Sequence, residues 1–175
     1  GNTRYFQNTG TAIAPQFAAG VQNPFGLTAV NTIAIPIFGD LDNDGDFDIM
    51  VGEYYGAIKY FQNTGTATVP QFAAAVTNPF GLSSLTEWHL PNLVDLDDDG
   101  DLDLLSSEYE GELKYFQNTG TASSPVFAVA TTNPFNLLPG DGIAFIASGD
   151  LDNDSDIDVL IGEYYGVLNY YKNTS

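Results

Sequence analysis

Short hydrophobic runs alternate with turns rich in Gly, Pro and Asn along the whole chain, and no stretch keeps the period of a helix. In one such run, Phe47, Ile49 and Val51 occupy alternate positions and share one face of a strand. The same pattern predicts strands at 33–38, 47–52, 57–62 and 71–76. The chain is therefore predicted to be all-β.

The strand pattern belongs to an internal repeat with a period of 55 residues, since matching acidic loops begin at Gly39, Val94 and Gly149. Two further motifs keep the period: YFQNTGT at 5–11, 60–66, 115–121 and loosely 170–175, and NPF at 23–25, 78–80 and 133–135. The NTGT part is typical of a hairpin, because Asn and Gly tolerate positive φ. Each unit is predicted to contain four strands, with the acidic loop between the first and second.

Each acidic loop carries Asp at its first, third, fifth, seventh and ninth positions. A packed core does not accept that many unpaired carboxylates, and in solvent they repel one another. Oxygen ligands at alternating positions suit calcium, so the sequence predicts about three Ca²⁺ ions per chain. The predicted metal-site residues are Asp40, Asp42, Asp44, Asp46, Asp48, Asp95, Asp97, Asp99, Asp101, Asp103, Asp150, Asp152, Asp154, Asp156 and Asp158.

The loop resembles the start of an EF-hand loop but lacks the glutamate that ends one, since its twelfth position is Val51, Ser106 or Ile161. The ninth-position aspartates are expected to replace that glutamate as ligands. The seventh-position aspartates are expected to offer their backbone carbonyls and to leave their side chains free for solvent.

The sixth loop position favours glycine, because a sharp turn there wraps the chain around the ion. Gly45 and Gly100 meet this requirement, whereas the third copy carries Ser155. The third site is therefore expected to be strained or weaker.

Composition narrows the class of protein. The 175 residues are 43% hydrophobic, which suits one domain with a core. The net charge of -19 comes mostly from the loops, and the chain has only four Lys and Arg residues, so nucleic acid and anionic lipid are not expected partners. Cysteine is absent, and no apolar run approaches the roughly 20 residues of a membrane span.

The sequence contains no nucleophile elbow, zinc-ligand cluster or phosphate loop, so the chain is predicted not to be an enzyme. His89 and Trp88 are unique in the chain, and the repeat equivalents of His89 are Ala34 and Ala144. They either form a functional site added to the repeat near the centre of the fold, or they are substitutions without function at a position that tolerates change.

A Glu-Tyr pair recurs after the second strand of each unit, and Glu53 and Tyr54 are its first copy; the others are Glu108 with Tyr109 and Glu163 with Tyr164. Such a pair can stack on and hydrogen-bond a sugar. Alternatively, the tyrosine packs between units while the glutamate accepts a backbone N–H.

The pattern DxDxDGxxD, followed by GEYYG and YFQNTGT, resembles the FG-GAP/VCBS repeat of integrin-α-like β-propellers over essentially the whole chain. The resemblance implies four-stranded blades that bind calcium in the hairpin between their first two strands. By position it carries the ligand role to Asp40, Asp42, Asp44 and Asp48, and to the matching residues Asp95, Asp97, Asp99, Asp103, Asp150, Asp152, Asp154 and Asp158. The sequence departs from the pattern at two places. Ser155 replaces the glycine of the third loop, and the second unit has SEYEG where the others have GEYYG.

The chain is expected to be one β-propeller domain, 1–175, with blades at about 30–80, 85–135 and 140–175, the last one joined by 1–25. Residues 1–10 and 166–175 are both copies of the third strand. The fourth strand of the last blade is expected to come from 16–19 of the same chain or of a neighbour. Val167 and Leu168 suit a buried third strand better than Asn2 and Thr3, so the C-terminal copy is expected to hold that place.

Three ways of closing the fold remain open: a three-bladed ring, a six-bladed ring of two chains, and a head-to-tail filament. Loops without the twelfth-position glutamate suit the high calcium outside the cell, so a secreted or cell-surface location is expected. The resemblance implies a module for adhesion or recognition of a glycan or protein. The alternative is a structural subunit that assembles with itself through its incomplete blade.

Overall fold

The computed structural model describes residues 1–138, 140 and 142–174. Within them, the chain forms four antiparallel sheets and no α-helix, so the predicted all-β class is confirmed. No helix among these residues has the length and apolar character needed to cross a membrane.

The sheets follow the repeat. The N-terminal sheet contains β1 (Arg4–Tyr5) and β2 (Val21–Gln22). The first sheet contains β3 (Ile35–Gly39), β4 (Asp48–Gly52), β5 (Ile58–Phe61) and β6 (Val76–Thr77). The second sheet contains β7 (Leu90–Val94), β8 (Asp103–Ser107), β9 (Leu113–Phe116) and β10 (Thr131–Thr132). The third sheet contains β11 (Ala144–Gly149), β12 (Asp158–Glu163) and β13 (Leu168–Tyr171). Short 3₁₀ turns occupy Pro79–Gly81 and Pro134–Asn136.

The first three predicted strands of a unit are confirmed, whereas the fourth is shorter than predicted. Phe72 forms an isolated bridge with Asn63, and the ladder resumes only where Val76 pairs with Tyr60. The outer segment uses four residue steps between these pairings and the inner strand uses three, so the outer segment contains one extra residue. This extra residue is a β-bulge, which interrupts the ladder.

The second strands of the first and second sheets are buried on both faces rather than on one. Ile49, Met50 and Val51 in β4 are all buried, although their side chains alternate between the two faces. The reason is that neighbouring sheets pack against both sides: Met50 contributes to the core shared with the second sheet, and Val51 to the core shared with the N-terminal segment. A further core joins the second and third sheets.

The first strands of successive sheets lie next to one another. Strand β7 contacts β3 on one side and β11 on the other. The side chain of Asn92 donates a 2.8 Å hydrogen bond to the hydroxyl of Ser148 across the second contact. Each acidic loop follows one of these first strands and leads into the second strand of its own sheet.

The hairpin predicted at NTGT is present, but for a different reason. The side-chain oxygen of Asn63 accepts hydrogen bonds from the N–H groups of Gly65 at 3.0 Å and Gln71 at 2.9 Å. A Cβ on Gly65 would lie 2.3 Å from the carbonyl oxygen of Val69. Glycine is required here by close backbone approach and not by positive φ.

The two copies of the third strand are both ordered within this single chain. Strand β2 pairs with β1. The fourth-strand segment is therefore paired with the N-terminal copy of the third strand, and not with the C-terminal copy as expected for this chain. Strand β13 pairs with β12 and with no other strand of the described residues. Completion of the third sheet by another chain stays a prediction.

Candidate metal centre

The acidic loop is held in shape by its own carboxylates. In the first loop, the N–H groups of Asp44 and Gly45 donate to the two carboxylate oxygens of Asp40 at 3.1 and 3.0 Å. The N–H of Asp46 donates to Asp44 at 3.1 Å. Gly45 adopts φ 92°, which confirms the turn predicted at the sixth position. These bonds fold the loop so that its first, third and fifth side chains point to one place.

Three carboxylates meet in every loop, with one oxygen of each lying within 4.8 Å of the others. The groups are Asp40, Asp42 and Asp44; Asp95, Asp97 and Asp99; and Asp150, Asp152 and Asp154. Calcium binds oxygens at about 2.3–2.6 Å, so ligand oxygens across an ion lie about 5 Å apart. The spacing of the three oxygens fits such an ion.

Unpaired buried oxygens in the loops also fit a cation. The Oδ1 atoms of Asp42, Asp46 and Asp101 are buried and have no hydrogen-bond partner among the described residues. A buried carboxylate oxygen without a partner is strongly unfavourable. An all-oxygen donor set with unpaired acceptors is what a hard divalent cation requires.

The seventh-position side chains are not free for solvent, and that prediction is wrong for two loops. Asp46 is 8% exposed and Asp101 is 7% exposed. Burial, and after it the charge of Asp44, raises the pKa of Asp46, whereas a hydrogen bond from the Asn63 side chain lowers it. Burial and Asp99 raise the pKa of Asp101 to about 6. The hairpin that follows the loop covers this position, and the local loop pattern does not encode that packing.

The ninth-position aspartate ends the loop and holds it in place through buried hydrogen bonds. Asp48 is fully buried; its Oδ2 accepts the Tyr60 hydroxyl at 2.8 Å and the Leu41 N–H at 3.2 Å, and its Oδ1 accepts the Asn63 N–H at 2.7 Å. Burial raises its pKa, and the bonds from Asn63 and Tyr60 oppose the increase. Asp48 lies outside the group of three carboxylates, so its role as a ligand stays a prediction. The other units repeat the bond from tyrosine, at 2.7 Å for Tyr115 with Asp103 and at 2.8 Å for Tyr170 with Asp158.

Sequence reasoning missed that the YFQN segment supports the loop. Besides Tyr60 and Asn63, which hold Asp48, Gln62 donates from Nε2 to Oδ2 of Asp42 at 2.7 Å. In the second unit Gln117 makes the same bond to Asp97 at 2.6 Å. The recurrence of this motif 55 residues apart was a signal for this role.

The third unit differs from the other two at one position in its loop and at one position after its third strand. Ser155 has φ 79°, a left-handed conformation that is costly for a residue with a side chain, in line with the predicted strain. Lys172 occupies the place of Gln62 and Gln117, and its ammonium contacts Asp152 and lies 2.9 Å from Oδ2 of Asp154.

The recurring glutamates accept backbone N–H groups. Glu53 is fully buried. Its carboxylate accepts two hydrogen bonds from Asn31, one from the backbone N–H at 2.9 Å and one from the side-chain amide at 3.1 Å. Glu108 accepts the Thr86 N–H at 3.0 Å. Each bond ties the segment before a first strand to the end of the second strand of the same sheet, which favours the structural interpretation of the pair.

The two unique residues are part of the packing between sheets. Trp88 lies between Tyr54 and Tyr109, with ring centroids 5.7 and 5.6 Å away. His89 is fully buried, its Nδ1 lies 2.9 Å from the Ser106 hydroxyl, and burial lowers its pKa to about 3. A neutral interior histidine of this kind is a packing element and not a solvent-facing site.

Comparison with known proteins places this repeat in a family. No curated protein matches the chain. A family model described as an FG-GAP-like repeat matches residues 40–106 and 95–161, two overlapping stretches that are offset by the length of one repeat. Both stretches begin at the first aspartate of an acidic loop and end within the second strand of the following sheet. The chain belongs to the FG-GAP-like repeat family.

Proposed function

We propose that the chain is a non-enzymatic, calcium-binding β-propeller module that acts outside the cell in adhesion or recognition. The observation that carries the calcium part is the meeting of three carboxylates in each loop, together with buried oxygens that lack a partner. The family match supports an integrin-like extracellular setting.

Calcium would supply positive charge where the loop concentrates negative charge. The residues that would hold it are the first, third and fifth aspartates, joined by the ninth, with the seventh contributing its backbone. Because Tyr60 in β5 and Gln62 just after it reach this loop, the loop is tied to the third strand as well as to the first and second. An ion bound there would stabilise three strands of a sheet at once.

The proposed role in recognition follows from a rigid framework that exposes loops and turns. The glutamates of the recurring Glu-Tyr pairs are occupied by backbone N–H groups, so a glycan or protein ligand is expected on other surfaces. The absence of a catalytic motif in the sequence supports a module without enzymatic activity.

Thermal melting in calcium and in chelator tests the calcium proposal. Calcium binds the folded loops and not the unfolded chain, so the melting temperature is expected to rise with calcium concentration by mass action. Magnesium at equal concentration is the control, because it dehydrates reluctantly and prefers smaller octahedral sites. Identical melts in calcium and chelator contradict the proposal.

A glycan array probed in calcium then tests recognition, for which retention of a defined sugar is expected.

A second candidate function, assembly with further copies, is favoured by the outer face of the third sheet. Leu168 is 70% exposed, whereas its repeat equivalents Ile58 and Leu113 are 1% and 0% exposed. Leu151 is 60% exposed, whereas its equivalent Leu41 is 2% exposed. The third sheet therefore presents to solvent the same face that the first and second sheets bury against a neighbour.

The N-terminal side of the molecule presents a matching surface. A largely apolar groove of about 570 Å³ lies between the N-terminal and first sheets and is lined by Phe38 and Phe47, which are 66% and 64% exposed. Their repeat equivalents Leu93 and Leu102 pack against the core between the first and second sheets. The third sheet of one copy would enter this groove of the next, with strand exchange between β1 and β13.

Solution mass by light scattering separates the outcomes. A mass twice that of the chain supports a closed ring of two copies, and a large or heterogeneous mass supports a filament. Leu168→Glu is expected to reduce either species to a monomer, whereas Val129→Glu, at a position 92% exposed, is a control expected to leave the mass unchanged. A monomeric wild-type chain contradicts assembly.

A further inference from the structure

We infer that Lys172 is a built-in counter-ion of the third loop, so that the first two loops bind calcium at least about tenfold more tightly than the third. This inference rests on the proposed binding of calcium. It assigns unequal roles to loops that the acidic motif makes look alike.

The residue that reaches the third aspartate group differs in charge from its equivalents. In the first two loops a neutral glutamine donates one hydrogen bond to the third-position carboxylate, from Gln62 to Asp42 and from Gln117 to Asp97. In the third loop the Lys172 ammonium contacts the third-position Asp152 and also the fifth-position carboxylate, 2.9 Å away. Lysine thus contacts two of the three carboxylates that meet in this loop.

The rest of the third loop keeps the geometry of the other two. The N–H groups of Asp154 and Ser155 donate to Asp150 at 3.2 and 3.0 Å, as their equivalents do in the first loop. The Tyr170 hydroxyl still donates to Asp158. Three carboxylate oxygens still lie within 4.8 Å of one another. The third loop thus keeps the shared hydrogen bonds to its first aspartate and differs in the ammonium, in the side chain of Ser155 and in the greater exposure of its carboxylates.

The burial of the carboxylates also differs between the loops. The buried unpaired oxygens of the acidic loops belong to Asp42, Asp46 and Asp101, in the first and second loops. In the third loop all three meeting carboxylates are exposed to solvent. Lys172 provides hydrogen bonds and positive charge to two of them, so their oxygens gain less from an ion than the buried oxygens of the other loops.

Calcium binding to the third loop would require the ammonium to leave or to stay beside a doubly charged ion. Leaving breaks contacts with two carboxylates, and staying adds repulsion between like charges a few ångströms apart. The side chain of Lys172 is 43% exposed, so it can move into solvent and the third loop keeps weak affinity. Glutamine at this position has no net charge to displace.

Titration with calcium, following the heat of binding, tests the inference on the intact chain. The wild-type protein is expected to show two tight sites and a third at least about tenfold weaker. Lys172→Gln is expected to raise the third affinity to that of the other two. The reciprocal change, Gln62→Lys, is expected to remove the first tight site and leave one. Ser155→Gly separates the contribution of the strained turn from that of the ammonium.

Each outcome has a definite meaning, and circular dichroism confirms folding of each variant. Three equal sites in the wild type overturn the inference while calcium binding itself stands. A third affinity unchanged in Lys172→Gln but restored in Ser155→Gly assigns the weakness to the turn and overturns the role of lysine. Retention of both tight sites in Gln62→Lys also overturns it. No calcium binding by the wild type contradicts the proposed function and the inference together.

Discussion

The hydroxyl of Tyr60 donates a 2.8 Å hydrogen bond to Oδ2 of Asp48, which joins the third strand of the first sheet to the end of its acidic loop. Both groups are buried, so neither finds water if the other is removed. The bond recurs in each unit, which makes it a fixed part of the repeat and not a local accident.

Tyr60→Phe is expected to lower the free energy of unfolding by about 1–3 kcal/mol, because a buried carboxylate oxygen loses its closer donor and keeps only the N–H of Leu41. Urea denaturation measures the change. Tyr170→Phe is the matched control: Tyr170 is 48% exposed, so water can replace its hydroxyl and a smaller loss is expected. Equal losses in the two variants would contradict this account.

Asp44→Asn is expected to have opposite effects with and without calcium. In chelator the substitution removes like-charge repulsion and keeps an oxygen that accepts the Asp46 N–H, so the melting temperature stays constant or rises by about 2–4 °C. In calcium it removes a charged ligand, so the calcium-induced rise becomes smaller. Differential scanning calorimetry in both buffers measures the two effects, and a variant less stable than the wild type in chelator would disprove the repulsion argument.

His89 is expected to make the fold sensitive to acid. Its pKa falls from 6.5 to about 3 on folding, so below about pH 6.5 the unfolded chain takes up a proton that the folded chain does not. Stability from this residue is fully present above pH 6.5 and is lost as the pH falls towards 3, by up to about 1.4 kcal/mol per pH unit.

His89→Gln isolates this contribution, because the titrating carboxylates are common to both proteins. The stability difference between wild type and variant, measured by urea denaturation in chelator, is expected to shift in favour of the variant between pH 7 and pH 4. A difference that is independent of pH would rule out the histidine as its source.

Glu53→Ala is expected to destabilise the protein by about 1.5–3 kcal/mol while calcium stoichiometry stays unchanged. The variant leaves the N–H of Asn31 without its charged acceptor in a partly buried place. Glu163→Ala is the milder comparison, since the bond from the Gly140 N–H to Glu163 is exposed, whereas the bond from the Asn31 N–H to Glu53 is partly buried. Thermal melts and calcium titrations of both variants check the prediction, and a change in stoichiometry would show that the glutamate belongs to the metal site.

The strands and the loops were accessible from sequence because both depend on local pattern. Alternation located β3, β4 and β5 to within two residues of their ends, and the spacing of aspartates identified the carboxylates that meet in each loop. The bulge before β6 was not accessible, because the register of a ladder depends on how an outer segment docks and not on its own hydrophobic pattern.

The support of the loops from the third strand was missed because the residues lie far apart in the chain. Gln62 is 20 residues beyond its partner Asp42, and Lys172 is 20 residues beyond Asp152. The exposure predicted for Asp46 was wrong for the same reason, since the hairpin that covers it folds back from residues further along the chain. Contacts that close over a turn require the tertiary structure.

The one-residue bulge in the outer segments has a consequence for behaviour in concentrated solution. A bulged edge is bent and twisted, so it offers a poor template for a strand from another molecule, and the rims of the first and second sheets resist indiscriminate aggregation. Strand β13 carries no such irregular outer segment among the described residues and leaves a regular edge open. In the proposed assembly, contact between copies would thereby be directed to this regular edge and discouraged at the bulged ones, which would separate ordered association from precipitation.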